Sequence, residues 1–374
     1  MRVQDAFTVR SQNLLDSAEI EMHCKIFGLL TPLACASLSS TLIAEDVKAA
    51  CIRPAGDPTD FCATGRAETG AFLGNRRASD TLFVFGLDDR AAAMARDPAH
   101  GLWLRTGVQS FKSTSESGQH AVDARGEFVQ LGADFFEWSP PGSAGTLKVG
   151  ALIGYASARN DATAGLNPFQ ARGDASGPGG GMYANWYQDR QSRLGFHAEW
   201  WGQFGWFDDK VDRQGLRQVD YRSHVGMTSI EVGYAWQLSA AGGWRLEPQG
   251  QIVYVHNHAF NVTQSDGAEV DGAKRGGWMS RLGIRASGPE WRPGGVEIHP
   301  QATINWWHDQ LGDEVAFSNQ FAVKDLFPAE RLELKAGAVM AFAKRWTAWG
   351  DVGVQAGSQS YRAWTAQVGL RYRY

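Results

Sequence analysis

The sequence predicts an all-β fold: an antiparallel transmembrane β-barrel of about twelve strands. Three observations predict it. Long segments alternate strictly between apolar and polar residues, the connections between them are short and long by turns, and the chain is rich in glycine and tryptophan.

The last segment shows the alternation best. Trp364, Ala366, Val368, Leu370, Tyr372 and Tyr374 alternate with Thr365, Gln367, Gly369, Arg371 and Arg373. Successive strand side chains point to opposite faces, so one face is apolar and the other wet. At about 3.3 Å per residue and a tilt near 45°, such a strand spans about 25 Å, the height of the apolar band of an outer-membrane barrel. Strands of soluble proteins are about half as long.

The pattern recurs upstream. Leu332, Leu334, Ala336, Ala338, Met340 and Phe342 oppose Arg331, Glu333, Lys335 and Gly337. Val296, Ile298, Ala302, Ile304 and Trp306 oppose Glu297, His299, Gln301 and Asn305. Ile230, Val232, Tyr234, Trp236 and Leu238 oppose Ser229, Glu231, Gly233 and Gln237, while Leu194, Phe196, Ala198, Trp200, Phe204 and Trp206 oppose His197, Glu199 and Gln203. Weaker alternations start near Leu102, Phe128, Leu147, Gly181, Trp244, Trp278 and Thr347. Their wet face predicts Arg105, Glu199, Glu231, Arg281, Arg285, Arg331, Glu333, Lys335, Asp351 and Arg371 as pore-lining, with Leu334 and Val352 toward lipid.

A soluble sandwich also hides one face and wets the other, so the connections decide between the two. Counted back from a periplasmic carboxyl terminus, every second connection should be brief. Ala343-Lys344-Arg345, Ser239 to Gly243, Asp189 to Arg193 and Ser139 to Gly145 are brief; Asp309 to Glu330, Asn257 to Gly277, Phe207 to Met227 and Ser157 to Gly180 read as long external loops. Ser287 to Gly295 and Ser358 to Ala363 are mild exceptions. A sandwich has no reason to produce such two-sided lengths.

Composition narrows the function. A net charge of -4 leaves no basic surplus to neutralise phosphates, which argues against nucleic acid. The 44 glycines suit close strand packing and the 15 tryptophans suit membrane interfaces. All 4 cysteines, Cys24, Cys35, Cys51 and Cys62, lie near the amino terminus; Cys51 and Cys62 could close a small disulfide, and none has zinc-site spacing. The uncharged stretch Ile26 to Ala44 after Lys25 reads as a secretory signal. The predicted division is a misassigned start or extension over 1–21, a signal peptide over 22–44, a short passenger or linker over 45–80, a pore helix over 81–100 and the barrel over 101–374.

With Gly101-Leu102-Trp103-Leu104-Arg105, Ser280-Arg281-Leu282-Gly283-Ile284-Arg285, Asp351-Val352-Gly353 and the terminal Gln367 to Tyr374 in view, the chain from about residue 80 onward resembles the autotransporter β-domain of type V secretion. The resemblance implies a Gram-negative outer-membrane barrel with a helix in its pore, an exported amino-terminal passenger, and no enzymatic chemistry or cofactor. It further implies outer-membrane lipid, the barrel insertion machinery and periplasmic chaperones as partners, and a monomer. Trp364, Val368, Leu370, Tyr372 and Tyr374 would form the assembly signal.

The residues Leu82 to His100 agree with a plug helix, since Ala91-Ala92-Ala93-Met94-Ala95 form helix well and Asp88 and Asp89 suit its amino terminus. Asp88, Asp89, Arg90 and Arg96 could pair with Arg105, Glu199, Glu231, Arg281, Arg331 and Lys335 on the wall. The chain departs from the family in leaving little room for a passenger, and no asparagine lies between Asn75 and the first strand to support cleavage at paired asparagines within the pore helix.

Other chemistry reads weakly. Asp208-Asp209 and His308-Asp309 at outer strand ends could suit an omptin-like surface protease, although solvated loop ends are commonly acidic. His256, His258 and His308 are too scattered for a metal set, and Gly177-Pro178-Gly179-Gly180-Gly181 reads as a flexible loop opening a strand. The rival function is a plain porin or a surface adhesin acting through its loops.

Overall fold

The structure, a computed structural model, describes residues 66–90, 100–165, 167–189, 192, 194–238, 243–271, 275–312, 315–317, 320–323, 326–342 and 345–374. The readings of an amino-terminal extension, a signal peptide and a Cys51–Cys62 bridge lie outside the described residues.

Twelve antiparallel strands close into a barrel: β1 (Gly101–Thr114), β2 (His120–Trp138), β3 (Thr146–Ala164), β4 (Asn167–Tyr187), β5 (Gly195–Arg213), β6 (Val219–Gln237), β7 (Arg245–Ala259), β10 (Arg275–Ser287), β11 (Glu297–Asp309), β14 (Glu330–Phe342), β15 (Trp346–Gly357) and β16 (Arg362–Arg373). Short strands β8 (Val262–Thr263), β9 (Glu269–Asp271), β12 (Val315–Phe317) and β13 (Gln320–Val323) form a separate sheet from two external connections. The seam joins the first and last strands, from Gly101 opposite Arg373 to Lys112 opposite Arg362. Closure leaves no edge to expose unpaired backbone groups to lipid.

Across the membrane the period-two pattern sorts the side chains as expected. Val352 and Leu334 are 57% and 51% exposed on the outer face. Large aromatics mark both ends of this apolar face, with Tyr155, Trp206, Trp278, Trp306 and Trp364 toward the external loops and Trp138, Phe196, Trp236, Trp244 and Tyr374 toward the short turns. Rings with a polar edge favour such interfaces.

Two of the four expected long loops are strands instead. Residues 157–180 are mostly the outer halves of β3 and β4, and residues 207–227 the outer halves of β5 and β6. In these extensions the polarity inverts. Arg159, Asp161, Arg172, Asp174, Asp208 and Arg222 face outward, in ion pairs Arg159–Asp174 (2.7 Å), Arg172–Asp161 (2.9 Å) and Arg222–Asp208 (3.2 Å), while Ala162, Ala164, Ala171 and Val211 are buried inside. A search for apolar-out alternation reads such segments as polar loop. Above the lipid the outer face meets water, so charge belongs outside.

The helix also differs from expectation. The described helix, α1, runs over Glu68–Thr81, earlier than the predicted 81–100; residues 82–86 are non-helical, a short 3₁₀ turn covers Leu87–Arg90, and the alanine-rich 91–99 lies outside the described residues. Gly70 and Gly74 lower the helix propensity of α1 by about 1 kcal/mol each relative to alanine. They serve the packing. A Cβ on Gly70 would come within 2.9 Å of the Ala162 methyl, and one on Gly74 within 2.5 Å of the Asn160 side chain. Burial against the wall, rather than propensity, makes this segment helical.

Arginine at a lipid-facing position near the bilayer midplane costs about 2–4 kcal/mol. Val352→Arg should therefore sharply lower the fraction of chain that folds into lipid vesicles. Thr163→Arg, on the outward face of the β3 extension, should change it by less than about 0.5 kcal/mol. Equal losses would show that the extension is not outside the bilayer.

Candidate functional site: the plugged lumen

The lumen is the site, because residues 66–90 run through it and meet nearly every strand. At the outer end Arg66 is buried beside Glu68 (2.6 Å) and Asp266 (2.6 Å), and donates to Gln264. Glu68 also receives Arg213 (3.1 Å). Burial alone would raise the Asp266 carboxyl, but hydrogen bonds from Arg66 and the Ala268 amide hold it below the usual carboxylate value.

About two turns further in, Asn75 donates to the Lys210 carbonyl (3.0 Å) and Asn160 donates to the Asn75 side-chain oxygen (2.8 Å). Arg77 pairs with Asp309 (2.5 Å), which also takes Arg331 (2.8 Å). Asn257 donates to Asp80 (2.7 Å) and to Ser79 (3.0 Å).

Below the helix the chain leaves regular structure through a turn at Leu82–Phe83, and its backbone carbonyls become the acceptors. Gln203 donates to the Phe83 carbonyl (3.1 Å), while Gln251 (2.8 Å) and the Trp201 indole (3.1 Å) both donate to that of Phe85. The Phe83 ring sits where a Cβ on Gly179 would come within 2.7 Å of it, so the bare backbone of β4 at Gly179 admits the plug. The glycine run Gly177 to Gly181 lies inside a strand and is not the flexible loop expected from sequence.

The 3₁₀ turn carries the deepest charges. Arg90 pairs with Glu199 (2.5 Å), donates to Asn185 (2.8 Å) and stacks over Tyr183, 4.0 Å from its centroid. Lys335 pairs with Asp89 (2.7 Å) and with Asp351 (3.2 Å), and the Trp349 indole donates to the Asp89 carbonyl (3.0 Å). The Leu87 amide donates to Glu231 (3.0 Å), which also pairs with Arg281 (2.9 Å).

All ten residues predicted to line the pore have side chains on the inner wall. Lys335, Glu199 and Glu231 bond to the plug and the Arg105 guanidinium sits 4.7 Å from the Phe85 ring centroid, whereas the side-chain hydrogen bonds of Arg105 and of the others run to the wall itself. Arg105 donates to Gln130 (2.7 Å), Arg285 to Glu247 (2.6 Å), Arg371 to Asp134, and Glu333 accepts from Asn305 (2.7 Å). Of the pairs anticipated for Asp88, Asp89, Arg90 and Arg96, those of Asp89 and Arg90 form; the Asp88 side chain and Arg96 lie outside the described residues. Sequence reasoning missed Arg66, Asn75, Arg77 and Asp80, because the plug was sought further along the chain.

The acidic pairs considered for protease chemistry are placed differently from expectation. Asp208 and Asp209 lie within β5, with Asp208 exposed beside Arg222 and Asp209 buried and accepting from Ser223 (2.7 Å). His308 is half-buried beside Glu330 (2.7 Å), while Asp309 is committed to Arg77 and Arg331. Asp309 is thus part of the plug's anchorage.

A closed twelve-stranded barrel around an amino-terminal helix has known counterparts. Residues 102–353 match the model of the autotransporter β-domain. The chain belongs to that family. This autotransporter β-domain is an outer-membrane translocator domain. The transport unit of the autotransporter AIDA-I from Escherichia coli superposes with a TM-score of 0.71 at 23% identity, covering 83% of this chain and 99% of that one. The β-domain of the Bordetella autotransporter BrkA gives a TM-score of 0.57 at 23% identity, covering 74% of this chain and all of that one. Among curated relatives, YuaQ and YdeU of E. coli K12 are each 26% identical over 83% of this chain. The matched region spans 24% of the length of YuaQ and 70% of that of YdeU.

Removing one member of a buried ion pair strands the other charge, at a cost of about 3–5 kcal/mol. Arg90→Ala should therefore lower the urea midpoint of the barrel in detergent well beyond Arg159→Ala, whose pair is exposed. Adding Glu199→Leu to Arg90→Ala should recover most of the loss. A double variant as unstable as Arg90→Ala would refute the pairing.

Proposed function

We propose that this β-domain exports the chain upstream of Arg66 and then holds it at the cell surface, with residues 66–90 as the anchor. The direction of the plug carries the reading. Its amino end, Arg66, contacts Gln264 and Asp266 of an external connection, while β1 begins at Gly101, beside Arg373 at the end of the short turns. A chain so threaded presents whatever precedes Arg66 to the outside. A plain porin would keep its lumen free, whereas this one is crossed by hydrogen-bonded chain.

The terminal strand supports assembly by the outer-membrane insertion machinery, after escort by periplasmic chaperones. Trp364, Val368 and Tyr374 are exposed on the lipid face, and Leu370 and Tyr372 are half-buried along it. Tyr372 packs against Trp346 with ring centroids 4.9 Å apart, and Tyr374 donates its amide to the His100 carbonyl (3.1 Å). The strand thus offers a continuous apolar face for recognition and closes the barrel on β1. One barrel closes around one plug, which suits a monomer in outer-membrane lipid with its own passenger as cargo.

An epitope tag inserted after Ala50 should bind antibody on intact cells. Deleting Leu370–Tyr374 should abolish the signal and reduce barrel protein in the outer membrane at least tenfold. A tag reached only after the cells are permeabilised would overturn the export reading.

A further inference from the structure

An exported chain must stop somewhere, and the lumen alone does not say where. Two features at the outer mouth define a position. The first is the polar cluster in which Arg66, 2% exposed, meets Glu68, Gln264 and Asp266, while Arg213 of the wall holds Glu68 from the other side.

The second is an apolar seat. Ala67, which precedes α1, and Ala71, Phe72 and Leu73 within it share one buried cluster with Ala268, Val270, Val315 and Leu326 of the two external connections. The small sheet of these connections is ordered β13-β12-β9-β8, with strands of two to four residues. Strands so short cannot stand alone, since even a longer two-stranded hairpin is marginal in water. Among the described residues, its apolar contacts are to α1 and to the inner wall, with Phe111, Val211 and Tyr361 in the same cluster.

We infer that Arg66, Glu68, Arg213, Gln264 and Asp266, with the apolar seat around Phe72, form a stop that fixes the register of the exported chain, the cap sheet settling only when the first turns of α1 arrive beneath it. This rests on the export reading above. The register is selective. A shift of α1 by one turn, about 5.4 Å, would move Gly70 and Gly74 away from the close wall contacts that only glycine fits. It would also take Glu68 away from Arg213, and Arg66 away from Gln264 and Asp266. Earlier passenger residues therefore slide past the mouth, and this segment does not. Arg66, Glu68 and Asp266 are positioning residues for transport.

The test uses the whole chain with the tag after Ala50, displayed on intact cells and exposed to trypsin. In the parent chain trypsin should free the tag at or before Arg66 and leave Arg76 and Arg77 uncut, as read from the amino terminus of the barrel fragment. Arg66→Ala, Asp266→Asn and Phe72→Ser should each speed cleavage after Arg76 or Arg77 at least tenfold, read on the barrel fragment of chains that display the tag. Arg66→Lys, which keeps the charge, should preserve most of the protection. Unchanged protection in all three variants would overturn the stop. Absence of surface tag in the parent chain would instead overturn export, so the two failures are distinct.

Discussion

A closed barrel buries its inner wall, and here that wall carries arginines, carboxylates, glutamines and asparagines that need partners in a confined space. An unpaired buried charge costs several kcal/mol, so the wall must be hydrated, paired with itself or filled by something polar. This chain uses the second and third routes. Arg105, Arg285 and Arg371 bond within the wall, and Glu199, Glu231, Asp309 and Lys335 reach inward to residues 66–90. The plug is the counterpart for which the wall is made, and its exposed backbone below α1 is as important as its side chains. The carbonyls of Phe83 and Phe85 accept the amides of Gln203 and Gln251 in place of a sheet or helix partner.

Physical periodicity made the barrel legible. Period-two alternation needs only that one face meet lipid and the other a wet lumen, so Trp364 to Tyr374 could be read with no further knowledge. Where the solvent changes, the rule changes sign. In the stretch from Arg159 to Ala164, Arg159 and Asp161 face water, while Ala162 and Ala164 face inward toward α1 together with Asn160. A reading keyed to apolar-out residues stops at the membrane boundary and assigns the rest to loops.

The plug was less legible for a different reason. Its sequence from Glu68 to Thr81 contains two glycines, an asparagine and adjacent arginines, and all but Arg76 and Thr81 are buried. Neither an amphipathic stripe nor high propensity marks a helix that is enclosed on every side by a wall of mixed apolar and polar side chains. The alanine-rich run beyond Arg90 reads as helix on local propensity alone, whereas the partners of α1, Asn160, Asn257 and Asp309, lie far away in sequence. Membership in the autotransporter β-domain family follows from the barrel; the register of the plug follows only from these pairings.

The central claim is that residues 66–90 are held by the wall as firmly as the strands are held to each other. Amide hydrogen exchange of the folded chain in detergent measures this directly. The account predicts that the amides of α1 and of Leu87, which donates to Glu231, exchange on the same slow timescale as the central residues of β5 and β6. Exchange of the Glu68–Thr81 amides at the rate of the external turn at Ser115–Gln119, while the strands stay protected, would show a segment loose in the pore and contradict it.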